Sequence, residues 1–209
     1  IGTLTYNGVD VPYAAFVAPA LLASSAMNGA LFDSTFNFFF KLRYAKVYDA
    51  ILTTPVSVDD LALGELLWSN LRGVIYATAF LTVMFGFGLV SSPLALLAPV
   101  AVIFIGFAFG AAGFAITTHV RTWKDFDFIF LLLTPLFLFS ATFYPVEIYP
   151  GVLRYVVELS PLTRGTHLIR SLCFGDLNLL MLADVGFLAL IGFLGYRHAV
   201  HRLGKLLLK

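Results

Sequence analysis

Long apolar runs alternate with short polar links along most of this chain. A helix that crosses a bilayer needs roughly 20 mostly apolar residues, within a range of about 17–25. Five stretches meet this requirement, and they are Tyr13–Phe40, Leu66–Val90, Leu94–Thr118, Phe126–Phe143 and Leu179–Tyr196. Proline favours the first turn of a helix, so the link Ser91–Pro93 predicts a tight turn between two antiparallel neighbours. The pattern therefore predicts an all-α, polytopic membrane protein with five spans.

The fourth run differs from the others because prolines and aromatic residues interrupt its far end. The outer hook, Phe143–Tyr155, contains Phe143, Tyr144 and Tyr149. Backbone that is not helical is tolerated at membrane depth only where protein or a water-filled cavity covers it. The pattern favours a span that reaches the outer face and folds partly back. The aromatic residues indicate either an interfacial belt or an outer gate.

Composition supports a membrane protein and argues against several kinds of site. The 209 residues are 60% hydrophobic and 12% charged, whereas globular domains carry about 25% charged residues. The single cysteine, Cys173, excludes an internal disulfide. The sequence has no GxxxxGK[ST] phosphate loop and no familiar metal-binding spacing of histidines. We therefore expect no cofactor on this chain and no nucleic-acid partner.

Basic residues are concentrated in links that would share one side of the membrane. They are Lys41, Arg43 and Lys46 after the first run, Arg121 and Lys124 after the third, and Arg197, Arg202, Lys205 and Lys209 in the tail. Cytoplasmic loops of membrane proteins carry an excess of lysine and arginine. The pattern predicts that these links and the C-terminus are cytoplasmic, and that the region 144–178 lies outside.

The first of these links is too long to be a bare connector. Leu42, Val47 and Ile51 are apolar with charged residues between them, so the stretch Leu42–Leu52 suits a short helix along the membrane surface. Ser57, Asp59 or Asp60 can cap the following helix by accepting its free backbone N–H groups. The short helix is either a docking site for a cytoplasmic partner or only an anchor for the link, and spacing leaves both interpretations open.

Polar residues within the first run are candidates for a transport pathway. They are Asn28, Asp33 and Asn37. A carboxylate at the bilayer centre costs about 2.5–3.5 kcal/mol on insertion scales, so Asp33 should face protein or water. It either lines a cavity and binds a cation, or joins neighbouring helices through hydrogen bonds. Glu65 and Arg72, seven residues apart at the entry of the second run, should each pair with another helix or with headgroups.

Two further patterns concern helix surfaces. Gly106 and Gly110 form a GxxxG pair, which favours close helix packing. Arg164, His167 and Arg170 are three residues apart and share one helix face. We expect that face to be solvated, and the alternative is a site for an anionic headgroup or a saccharide.

The order of these segments resembles ABC-2 type permeases. The matching pieces are TTPVSVDDLALGELLW, the tight turn, FSATFYPVEIYP and LSPLTRGTHLIRSL, of which Gly64–Trp68 and Pro161–Arg170 are the most specific. The branch that it resembles most holds the nodulation lipo-oligosaccharide exporter permease and the daunorubicin-resistance permeases. That family normally has six spans. The resemblance thus implies that residues 1–209 are one ABC-2 transmembrane domain of the type V exporter kind, without its N-terminal interfacial helix and first span.

The resemblance also implies a function and its residues. The chain would be the permease of an ABC exporter in the cytoplasmic membrane of a bacterium, moving a lipid-linked saccharide, polyketide lipid or hydrophobic drug outward. It would not be an enzyme by itself, because ATP and Mg would bind a separate cytoplasmic ATPase. A second permease and membrane lipids complete the expected partners. The implied coupling residues are Arg43, Val47, Tyr48, Ile51, Leu52 and Pro55, the pathway residues Asn28, Asp33 and Asn37, and the outer-gate residues Phe143, Tyr144 and Tyr149.

Three other functions compete with this interpretation. One is an exporter of polysaccharide, which belongs to the same class. Another is a secondary transporter without an ATPase, which would predict paired intramembrane ionisable residues and often an internal repeat. The last is an assembly subunit that transports nothing, and it would show no dependence on nucleotide.

Overall fold

The computed structural model describes residues 2–6 and 9–207. A two-stranded antiparallel hairpin, β1 (Thr3–Tyr6) and β2 (Val9–Pro12), precedes the helices. The helices are α1 (Tyr13–Phe32), α2 (Phe38–Arg43), α3 (Val47–Ile51), α4 (Val58–Gly86), α5 (Ala98–Thr117), α6 (Phe126–Leu138), α7 (Gly151–Leu159), α8 (Pro161–Phe174) and α9 (Leu180–Leu207). A π-helical turn, Asp33–Asn37, joins α1 to α2, and short 3₁₀ turns occupy Pro93–Leu97, Trp123–Asp125 and Val146–Ile148. The tail residue Lys209 lies outside the described residues.

Four helical segments are long and apolar enough to cross a membrane. They are Tyr13–Arg43, Val58–Gly86, Pro93–Thr117 and Leu180–Leu207. They correspond to the first, second, third and fifth predicted spans, and the second begins at Val58, earlier than predicted. The all-α membrane bundle predicted from the sequence is confirmed.

The fourth predicted span, Phe126–Phe143, is wrong as a full-length helix. Its helix α6 has 13 residues, which corresponds to about 20 Å at 1.5 Å per residue. Pro135 removes one backbone donor from the last part of α6. Just beyond, Ala141 has a left-handed backbone with φ 54°, and the chain turns. The apolar run is therefore divided between a short helix and a bend.

After that bend the chain enters the bundle and leaves it again. Helix α7 lines a pocket together with residues of α6, and α8 then packs against α1, α5 and α9. Gly165 near the start of α8 lies against Ile105 of α5, whereas the carbonyl of Cys173 near its end accepts 3.1 Å hydrogen bonds from the amides of Ser91 and Ser92. The predicted fold-back is present, but its helices cover Gly151–Phe174, further along the chain than the outer hook.

Helix α5 is the centre of the bundle and packs against α1, α4, α8 and α9. A side chain on Gly106 would collide with Asn70 of α4, and one on Gly113 would collide with Ser34. Leu66 of α4 occupies the space beside Gly110. The small residues thus let neighbouring helices approach closely, which confirms the packing interpretation of the GxxxG pair.

The start of α4 is fixed by Ser57, one of the three caps that the sequence offers. The Ser57 hydroxyl accepts a 3.1 Å hydrogen bond from the amide of Asp60, and the Asp60 carboxylate accepts one of 3.1 Å from the amide of Ser57. This reciprocal capping box satisfies two backbone donors that the helix would leave free. It also fixes where the link between α2 and α4 ends and α4 begins.

Candidate transport pathway and its two ends

The pathway candidate Asp33 forms an ion pair with α4. Its side chain is buried, and Arg72 donates to its Oδ1 at 2.7 Å. Asn37 donates to the same oxygen, because the π-helical turn brings the two side chains together on the first span. Arg72 also lies 3.4 Å from the hydroxyl of Tyr76. The arrangement joins the first span to the second through a carboxylate with two donors.

The depth of this cluster follows from its position along the helix. Asp33 is 33 − 13 = 20 residues beyond Tyr13, or about 30 Å along the axis. That distance matches the roughly 30 Å thickness of the hydrocarbon core. A hydrocarbon core that began at Tyr13 would therefore end near Asp33, where a carboxylate costs less than at the centre.

The sequence predictions for Glu65 and Arg72 are confirmed. Arg72 pairs with Asp33, and the Lys41 ammonium lies 2.7 Å and 2.8 Å from the two Glu65 oxygens. Asn28, in contrast, lies on the exposed side of α1. The structure therefore brings Asp33 and Asn37 together but places Asn28 on a different surface.

An apolar groove runs between α5 and α6, beside Leu31 of α1. Its volume is about 540 Å³. The apolar lining includes Leu31, Phe109, Ile116, Ile129, Leu133 and Leu136, and His119 and Asp125 stand at one end. The amides of Arg121 and Thr122 donate to Asp125 and hold the pKa of its carboxyl below the usual value. The groove thus has an apolar lining along its length and polar and charged side chains at one end.

The predicted coupling residues occupy the link between α2 and α4. Arg43, Val47 and Pro55 are exposed, whereas Ile51 and Leu52 are half-buried. Tyr48 is 1% exposed and packs on Phe38. The predicted surface helix is reduced to Val47–Ile51, because Lys46 has a left-handed backbone with φ 48° and separates it from α2. A docked protein could reach Val47 and Pro55 but not Tyr48.

The predicted outer-gate residues lie at the opposite end of the bundle. The Tyr13 hydroxyl donates to the carbonyl of Phe143 at 3.3 Å. The Phe143 ring packs on Phe137 and the Tyr149 ring on Phe139, with centroids 5.5 Å and 6.3 Å apart. Tyr144 is exposed. Two of the three rings therefore rest against α6 or the residue that follows it.

The expected solvated face of α8 is wrong. Arg170 is 1% exposed, and Arg164 forms a 3.0 Å ion pair with the buried Asp184 of α9. His167 is half-buried. Sequence reasoning missed these roles because it treated the polar residues of α8 as an outer surface, although apolar residues such as Leu168 and Ile169 lie between them.

These features define a class of protein: a polytopic α-helical membrane protein, with the link between α2 and α4 at one end of the bundle and a fold-back hairpin at the other. A model of the ABC-2 type transporter family matches residues 1–174, and the chain belongs to that family. The resemblance read from the sequence is thereby confirmed.

Curated relatives agree with the family. Nodulation protein J of Sinorhizobium fredii is 30% identical over 171 residues, which cover 81% of this chain and 65% of the relative. Nodulation protein J of Rhizobium meliloti is 28% identical over 177 residues, which cover 84% and 68%. The chain spans about two thirds of the length of these relatives. No solved structure matches the chain significantly.

Proposed function

We propose that this chain is the permease of an ATP-driven exporter that moves an amphiphilic substrate outward across the cytoplasmic membrane of a bacterium. A separate cytoplasmic ATPase would bind ATP and Mg, and a second permease, identical or paralogous, would complete the transporter. The substrate would be a lipid-linked saccharide, a polyketide lipid or a hydrophobic drug. The observation that supports this substrate class best is the apolar groove along α6.

The groove suits the tail of an amphiphile. From Asp125 to Leu136 it extends over 136 − 125 = 11 residues, or about 16 Å of helix. Lipid tails are as apolar as leucine, so a tail that moves from the bilayer into the groove gains little free energy. The groove can therefore admit a tail without retaining it. The polar mouth at His119 and Asp125 would receive the head.

Filling the groove should slow transport of a tailed substrate. Leu133→Trp places a larger ring in the groove, and we expect at least a tenfold lower rate with an unchanged melting temperature. The matched control is Leu182→Trp, at an exposed position of α9. The measurement is uptake of a fluorescent lipid-linked oligosaccharide by inverted vesicles that contain the complete transporter. Equal rates for the two variants, or equal uptake of the same oligosaccharide without its tail, would argue for polysaccharide export.

The cytoplasmic link should couple the permease to its ATPase through exposed residues only. Val47→Asp places a charge on the exposed docking surface, and we expect the ATPase to be lost on purification while the permease keeps its melting temperature. Tyr48→Phe removes only the hydroxyl of a buried side chain, so it should leave association unchanged. Val9→Asp makes the same exposed change on β2 at the other end.

The experiment is purification of the full-length permease from its native membrane, with ATP hydrolysis measured in the eluate. Activity that disappears with Val47→Asp and persists with Val9→Asp supports the coupling role. A permease that purifies without any ATPase, and still transports along an ion gradient, would favour a secondary transporter instead.

A further inference from the structure

Arg170 of α8 connects three parts of the bundle near its outer end. Its Nε and Nη2 donate to the carbonyl of Phe16 in α1 at 3.3 Å and 3.1 Å, and Nη2 donates to the carbonyl of Ala141 at 3.1 Å. The guanidinium carbon lies 3.8 Å from the centroid of the Phe16 ring and 5.6 Å from that of Tyr6. One side chain thus holds the bend after α6 against the start of the first span.

The oxygens that accept hydrogen bonds from this buried cation belong to neutral carbonyls. Among the residues that the structure describes, Lys41–Glu65, Asp33–Arg72, Arg154–Glu158 and Arg164–Asp184 form ion pairs, and Arg170 belongs to none of these four. Burying a guanidinium costs several kcal/mol unless a counter-charge is present. Hydrogen bonds to a charged group return about 1.5–3 kcal/mol each. The guanidinium is therefore stable beside the two carbonyls, but it can move to a site where it binds a carboxylate.

The bend that Arg170 holds is itself strained. Ala141 has φ 54°, and a non-glycine residue in the left-handed region costs roughly 1–2 kcal/mol. The hydroxyls of Ser140 and Thr142 lie 2.7 Å apart, and Ser140 donates to the carbonyl of Phe137 at 2.7 Å. Strained backbone persists where surrounding contacts determine it, and such sites are often switches.

A second position for the guanidinium is available next to the first. A polar cavity of about 150 Å³ is lined by Arg170, Tyr6 and His167 and by three carboxylates, of which Asp184 pairs with Arg164, Asp176 is on the link after α8 and Glu147 is on the hook. Glu147 belongs to the 3₁₀ turn of the outer hook, so it moves whenever the hook moves. A carboxylate forms stronger hydrogen bonds to a guanidinium than a neutral carbonyl does. The cavity also has room for water around both groups.

We propose that Arg170 is a two-position latch for the outer hook: it binds the Phe16 and Ala141 carbonyls while the hook is closed, and it pairs with Glu147 when the hook lifts. This inference rests on the proposed export function, since it specifies how the outer end opens. The guanidinium has hydrogen-bond acceptors in both positions. It can therefore move from one to the other without remaining unpaired for long. Two such discrete arrangements are what a conformational switch requires.

The two members of the latch should shift the hook in opposite directions. Arg170→Lys loses the forked geometry that reaches both carbonyls, and we expect the ratio of open to closed hook to rise about tenfold. Glu147→Gln weakens only the second position, so the ratio should fall severalfold. Arg154→Lys, an exposed arginine that pairs with Glu158, is the matched control and should leave the ratio unchanged.

The ratio is measured by pulsed electron paramagnetic resonance between spin labels at Ile148→Cys in the hook and Leu96→Cys at the outer turn, both exposed. The background is Cys173→Ala, and labelled permease is diluted with unlabelled permease in full-length complexes. Shifts in the same direction for both variants, or no shift with Glu147→Gln, would overturn the latch. Glu147 is exposed, so this variant should fold even if Arg170→Lys does not. The distances need neither ATP nor substrate, so they test the latch even if the proposed export function fails.

Discussion

Replacing Gly195 with alanine should lower the free energy of unfolding by about 2–3 kcal/mol, near the upper end for overpacking a tight interface. A Cβ at this position of α9 would lie 2.9 Å from the carbonyl carbon of Ala111 and 3.0 Å from the amide nitrogen of Ala112. These are backbone atoms of α5, so no side chain can move aside. The two helices would have to separate, and their interface is the most extensive in the bundle.

Gly186→Ala is the control for this change, because it adds the same methyl group to the same helix. A Cβ on Gly186 has no neighbour within 4 Å. Helix propensity then predicts a small gain, up to about 1 kcal/mol. Reversible unfolding of both variants in mixed micelles gives the two free energies. If both variants lost the same free energy of unfolding, α5 and α9 would not be in close contact at Gly195.

Arg72→Met should have the second large effect, because it leaves the buried Asp33 carboxylate without its cation. Breaking a fully buried pair costs about 3–5 kcal/mol. The Arg72 side chain is 35% exposed, so screening by solvent reduces the expected loss to about 1–3 kcal/mol. Adding Asp33→Asn removes the unpaired charge and should restore most of the stability. Arg154→Met, at an exposed pair, should cost less than about 0.5 kcal/mol.

The same variants decide between the two roles that the sequence left open for Asp33. If the pair only joins α1 to α4, transport of the lipid-linked oligosaccharide should recover with stability in the Arg72→Met/Asp33→Asn double variant, and this is the result that we expect. A double variant that is stable but does not transport would place Asp33 in the pathway. The double-mutant cycle also gives the coupling free energy between the two residues.

The main helices could be predicted from the sequence because each is encoded by its own apolar run. A cap at the start of α4 could be predicted as well, with Ser57, Asp59 and Asp60 as candidates, since capping depends on residues close together in the chain. The position of the bend after α6 was harder to predict from the sequence. The run Phe126–Phe143 is mostly apolar, and Pro135 is the one proline within it, so the sequence placed the fold-back beyond the run and not inside it.

The sequence did not predict which distant segments contact each other. Spacing indicated that Arg72 needs a partner, but the partner, Asp33, lies 39 residues away on another helix. For Arg170 the separation from Phe16 is 154 residues. Its neighbours in the chain suggested an outer surface, whereas tertiary packing buried it. The inward direction of Tyr48 was hidden for the same reason, because Phe38 on the preceding helix covers it.

The short helix α6 has a consequence for the lipid around it. Its 13 residues cover about 20 Å, roughly 10 Å less than an average hydrocarbon core. A bilayer beside a helix that is too short thins locally, at a cost of fractions of a kcal/mol per ångström. The groove lies along this same helix. The polar head of an amphiphile that moved along the groove would therefore cross a thinner hydrocarbon layer than it would beside the long spans.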